Sequence, residues 1–320
     1  MVNANSSPNH TEPTPEFNDA CITTIREYLR GALPFKETIS TIENLRGQAI
    51  AGGHMANQAR SEHALGYLQH YRGNLNASIN HYDRARSLFK QVGNRTRMAT
   101  MDLNQGENYR FKGDFNRALQ LYRAAYQTAK DLSATRTQAI AALNEGLVLI
   151  TLDQNTAAMQ TFDHTEDLLQ MWDRDDPSLP GFLCELHHGK AVIYLRQNQL
   201  EAAWHSALHA LEIADATGEP HQRGYANRTM GEVLSQLENI PEDDHSSDPD
   251  DYFRASGTAF REINAEAELA RTMYAQALSQ ARRGRRTMAA RKLQHVMIMF
   301  TKLGMVDDAA RAAEAQLAVL

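Results

Sequence analysis

Along Ala99–Leu132, apolar and polar positions alternate with the period of a helix and not of a strand. Gly106, Tyr109, Phe115, Ala118, Tyr122 and Ala125 place small and large apolar residues on one face, and Lys112-Gly113-Asp114 breaks the pattern in the middle. The spacing predicts two amphipathic helices joined by a tight turn. Small residues let the helices approach, and large ones fill the space beside them.

The same pattern returns along the chain. Gly66, Gly106 and Gly146 lie 40 residues apart, and Gly73, Leu75, Ser78, Tyr82 and Ala85 stand where Gly113, Phe115, Ala118, Tyr122 and Ala125 stand in the next unit. Further units centre on Ala191, Gly231 and Ala277. These residues resemble the tetratricopeptide repeat signature, with small residues in the first helix and an Ala near the start of the second among aromatic knobs. The resemblance implies an all-α fold, a right-handed superhelical solenoid of antiparallel helix pairs. Units of about 40 residues, longer than the common 34, predict second helices lengthened by about a turn and a half.

The expected organisation has four parts. Residues 1–16, with three prolines and almost nothing apolar, are expected to be a disordered tail. Residues 17–54 form a capping helix pair, residues 55–304 about six repeats, and residues 305–320 a final capping helix. Two interruptions break the spacing. Prolines at 177 and 180 predict a loop over 172–180, and residues 238–251 hold seven carboxylates, an acidic loop at the turn of the fifth unit. The nearby Arg282, Arg283, Arg285 and Arg286 are expected to form a solvated basic corner.

Between 252 and 304 the succession of an apolar residue, Phe, Arg or Lys and a small residue, then Ala-Arg-Thr, resembles the long-unit tetratricopeptide arrays of bacterial regulatory proteins. Those include sensory domains of transcription activators and peptide-pheromone receptors. The resemblance implies that first helices line a concave groove. Placing the units in register puts on that face Arg60, His63, Tyr67, His70 and Tyr71, then Asn104, Glu107 and Arg110, then Asn144 and Leu147. In later units the same face takes His188 and Arg196, then Tyr225, Arg228 and Glu232, then Tyr274 and Arg282. Asn104 and Asn144 each precede the central Gly by two residues, where an amide can both donate to and accept from a ligand's backbone or else bond the adjoining unit.

Composition narrows the function. A net charge of −6 argues against broad binding to nucleic acid or an anionic membrane. No stretch approaches the ~18 apolar residues needed to span a bilayer, and the start lacks a secretion signal, so a cytoplasmic protein is expected. Cys21 and Cys184 have no metal or redox spacing and read as core residues. His205 and His209 lack a third metal ligand, and no phosphate loop or nucleophile elbow is present, so neither metal nor other cofactor is expected. The reading is a non-enzymatic adaptor or scaffold that binds a peptide or partner-protein segment, with self-association through an end repeat open. The alternatives are a peptide- or small-ligand-sensing regulator, and a regulatory subunit of an enzyme with His63, His70 and His188 as a polar pocket that titrates near neutral pH.

Overall fold

The structure, a computed structural model, describes residues 11–238 and 246–320. Fifteen helices and no strand occur among them. The chain divides into two compact units, residues 1–154 and 155–320.

The first unit holds α1 (Pro15–Leu29), α2 (Phe35–Ala51), α3 (Met55–Tyr71), α4 (Leu75–Gln91), α5 (Arg95–Phe111), α6 (Phe115–Asp131) and α7 (Thr135–Thr151). Each packs on the next, and first helices also meet one another, α1 on α3 and α5 on α7. The helices from α2 to α7 are each 17 residues long, so the extra length of the unit is shared by both helices and is not confined to the second as the sequence suggested. The turns explain this regularity. Gly53, Gly73, Gly93, Gly113, Ser133 and Asp153, one every 20 residues, all have positive φ. At Gly113 (φ +79°) the left-handed residue directs its own N–H to the carbonyl of Arg110 and that of Asp114 to Tyr109. Asp114 then caps α6 by accepting from the Arg117 N–H.

Small residues face large ones inside each pair. A Cβ on Gly66 would fall 2.6 Å from the Tyr82 ring, and one on Gly106 2.5 Å from Tyr122. Both tyrosines are buried, and the contact distance of the two helices is set by the missing methyl group. Cys21, Ile42, Leu65 and Leu68 form the core under the α1–α2 pair. The segment expected to be a disordered tail departs from that expectation. Residues 11–14 pack against α3 and α5, and Pro15 already opens α1, with Thr14 as its N-cap. Residues 1–10 lie outside the described residues.

The second unit holds α8 (Asn155–Gln170), α9 (Leu179–Arg196), α10 (Leu200–Thr217), α11 (Pro220–Leu234), α12 (Pro249–Glu262), α13 (Glu266–Arg282), α14 (Arg286–Lys302) and α15 (Val306–Val319). Here too a glycine meets an aromatic ring, Gly189 against Phe162 and Gly224 against Phe260. Three expectations are corrected. Pro180 is not in the loop but in the first turn of α9, where its missing N–H leaves no bond unmade. Of the acidic stretch, Asp248 caps α12 and residues 249–251 are its first turn, where carboxylates meet the positive end of the helix dipole; residues 239–245 lie outside the described residues. The basic corner is paired: Arg283 reaches Asp248 and Asp250 at 3.1 and 2.8 Å, and Arg285 reaches Asp250 at 2.7 Å.

Candidate functional site

In the first unit, the polar residues of the first helices are knitted to one another. Asn104 on α5 donates through Nδ2 to His63 Nε2 on α3 at 3.1 Å. That leaves the proton of the neutral ring on Nδ1, which is buried without a partner. Burial, with Arg60 and Arg97 adding like charge, pushes the His63 pKa down to about 3. Four residues on, Asn108 continues the contact. His70 Nδ1 meets Asn108 Oδ1 at 2.6 Å, Asn108 donates to Ser78 Oγ at 2.8 Å, and Ser78 donates to the Gly66 carbonyl at 2.7 Å. Asn108 and Ser78 are fully buried. This relay ties α3, α4 and α5 together, and Asn108 was not among the residues singled out from sequence.

Other predicted residues take different roles. Arg60 was expected in the groove but is 6% exposed, with its Nε on Asn18 of α1 at 2.7 Å; a long side chain one turn into α3 is covered by the α1 helix beside it. Glu107 accepts from Arg110 and from the Tyr122 hydroxyl. Burial would raise its pKa, but Arg110 outweighs it and the carboxylate stays charged. Tyr67 is half-buried and Tyr71 is exposed. Asn144 and Leu147 on α7 are half-buried. The Asn104 Oδ1 and the whole Asn144 amide take no protein hydrogen bond among the described residues.

In the second unit, Tyr225 is the centre of an aromatic cluster. His188 and His221 lie 5.1 and 4.7 Å from it, and Phe260 5.4 Å. The Arg228 guanidinium stands 5.0 Å over Tyr225 and donates to Glu268 at 2.8 Å. His188 Nδ1 bonds Thr229 at 2.6 Å, and burial, with Arg228 next, lowers its pKa to about 3. Glu232, on the same helix, has its pKa raised by burial against the pull of Arg228, Arg282 and Arg196. Arg196 and Arg282 are exposed. Tyr274 is not part of this cluster; its ring lies 6.4 Å from Phe300. Glu268 and Thr229 were missed, because only the folded array brings α13 and α9 against α11.

The titrating pocket of the enzyme-subunit alternative is thereby corrected: His63 and His188 are neutral well below pH 6 and carry no proton across neutrality. No group of three metal-ligating side chains occurs among the described residues. Cavities of about 150 Å³ between α12 and α13 and about 380 Å³ between α14 and α15 include none of the seventeen predicted residues. No described helix is long and apolar enough to cross a membrane.

Helix pairs, small-to-aromatic contacts and first helices stacked on one another define a tetratricopeptide-type helical-repeat fold, similar to that of bacterial regulators. The chain is similar to the apo form of RapI, at 13% identity and a TM-score of 0.69, over 91% of this chain and 99% of that one. It is also similar to aspartyl phosphate phosphatase F from Bacillus subtilis (14% identity, TM-score 0.66, 88% of this chain and 72% of that one). A third is the Rap conjugation gene regulator of plasmid pLS20, solved with the Phr* peptide (13% identity, TM-score 0.60, 96% and 97%). No family model and no curated protein matches the sequence.

Proposed function

We propose that this chain is a non-enzymatic regulatory adaptor that binds a peptide or a partner's extended segment along its first helices. The observation that carries the reading is the pair Asn104 and Asn144. They occupy equivalent positions on the neighbouring helices α5 and α7, and both keep open hydrogen-bonding capacity on half-buried side chains. An amide that offers both donor and acceptor fits a peptide backbone, and two of them one repeat apart fit an extended one. Tyr67, Glu107, Arg110 and Leu147 supply aromatic, charged and apolar contacts around them. The similar Rap regulator solved with a peptide supports a peptide ligand, and on this reading the protein resides in the cytoplasm.

The test is affinity capture on immobilised protein from host lysate, wild type beside Asn104→Ala/Asn144→Ala, with the thermal transition of the variant checked first. A peptide or protein retained by wild type and lost from the folded variant is expected. Equal retention by both would overturn the assignment of the site to α5 and α7.

A further inference from the structure

Residues 11–14 precede the first helix, yet they are held like a bound peptide. They cross the N-terminal ends of α3 and α5 as an extended strand, with Thr14 at φ −62° and ψ 147°. The backbone is gripped at both polarities: Thr14 N–H donates to Asn57 Oδ1 at 2.9 Å, and the Thr11 carbonyl accepts from Asn94 Nδ2 at 2.9 Å. The one acidic side chain is gripped twice, with Glu12 accepting from Asn94 Nδ2 at 2.7 Å and from Arg97 Nε at 3.1 Å. The Pro13 ring between these contacts is buried.

The receptor side is preorganised. Asn94 is the N-cap of α5, and its Oδ1 accepts from the Arg97 N–H at 2.9 Å. The cap fixes the amide, so its nitrogen points away from the helix and at the strand. Asn57 and Asn94 are 7% and 6% exposed, too buried to have been recruited as casual surface contacts. The charge is matched as well. Arg60, almost fully buried, has only the neutral Asn18 as a hydrogen-bond partner, and it lies near enough to Arg97 for the two cations to oppose each other. A carboxylate delivered to this corner relieves that repulsion.

We propose that α3 and α5 carry a peptide site for an extended segment in which an acidic residue precedes proline, and that residues 11–14 of this chain fill it in cis. The two asparagines read the backbone, Arg97 reads the carboxylate, and the buried imino ring excludes bulky branched or charged residues at the next position. A segment tethered directly to α1 has an effective concentration of order millimolar, so a weak site is held closed until a better segment in trans displaces it. The site includes neither Asn104 nor Asn144 and stands or falls separately from the adaptor reading.

The test uses the full chain as wild type, Glu12→Arg and Glu12→Arg/Arg97→Glu, with a fluorescein-labelled TEPTPE hexapeptide followed by anisotropy and the Thr14 amide followed by hydrogen exchange. Glu12→Arg places a third cation beside Arg97 and Arg60, so the Thr14 amide should lose its protection. The freed site should then bind the peptide at least about tenfold more tightly than wild type, whose apparent affinity is cut by its small open fraction. The double variant should not bind it. Unchanged Thr14 protection in Glu12→Arg, no binding to that variant at millimolar peptide, or equal binding to it and to wild type would each overturn the proposal.

Discussion

Replacing glycine by alanine should have opposite signs at two places in the first unit, and the structure says why. Gly113 ends α5 at φ +79°, and nothing lies within 4 Å of where its Cβ would be. No clash can therefore confuse the measurement, and Gly113→Ala tests backbone conformation alone. Left-handed geometry costs an L-residue about 1–2 kcal/mol, against which the stiffer unfolded chain returns about 0.5–1 kcal/mol, leaving a net loss of about 1 kcal/mol. Gly47 also has open space, but it lies inside α2 with ordinary helical geometry and an exposed position. There the same substitution should stabilise by about 1 kcal/mol through helix propensity. Ser133 completes the series. It holds φ +53° at the place Gly113 holds one unit earlier, and its turn repeats the same hydrogen bonds, Ser133 N to Lys130 and Ala134 N to Ala129. Ser133→Gly should stabilise by about 1 kcal/mol. The assay is urea denaturation followed by circular dichroism, comparing midpoints where the slope is unchanged. If Gly113→Ala and Gly47→Ala shift the midpoint in the same direction, or Ser133→Gly lowers it, the claim that these turns are set by a left-handed residue every 20 positions is wrong.

Two further predictions concern buried charge. Glu268, 5% exposed, accepts from Arg228 and Arg271, so Glu268→Ala should destabilise by about 3–5 kcal/mol, whereas Arg228→Met/Glu268→Leu should cost far less because no unpaired ion remains; equal losses in urea midpoints would refute this. Glu62 faces Arg46, His81 and Arg84 at 3.2, 2.8 and 3.0 Å. Burial alone would raise its pKa, but these partners bring it from 4.5 down to about 2. A carboxylate depressed by folding stabilises above its unfolded pKa and loses that contribution as pH falls through the folded value. The gap between wild type and Glu62→Gln, of order 3 kcal/mol at pH 7, should therefore close between pH 4.5 and 2; a gap constant over that window would refute it.

Much of the repeat was legible because its signal is local. Gly66, Gly106 and their aromatic partners Tyr82 and Tyr122 recur at fixed spacing, and each pair closes within 16 residues, so the pattern survives in one sequence. The polar site was less legible. Asn104 stood out by its place before Gly106, but its partner His63 is 41 residues away, and the same placement that suggested Arg60 as a groove residue says nothing of the α1 helix that covers it. The strand at 11–14 was read as a tail because its composition is that of one; what holds it, Asn57, Asn94 and Arg97, lies 43 to 85 residues further on. The arginines after α13 looked solvated for the same reason, since the carboxylates of Asp248 and Asp250 reach them only through the folded α12–α13 pair.

Helices of one length between turns of one kind make the first unit a splice-ready ladder. Removing residues 95–134 would join Asn94 to Thr135, carry the chain from the Gly93 turn directly into α7, and leave every remaining rung facing the way it faced before. An insertion of 20 residues would instead turn all that follows inside out, first helices taking the places of second ones. Changes in length of this architecture thus come in steps of two helices, and a gene that grows by duplication can lengthen the binding face without redesigning a single turn.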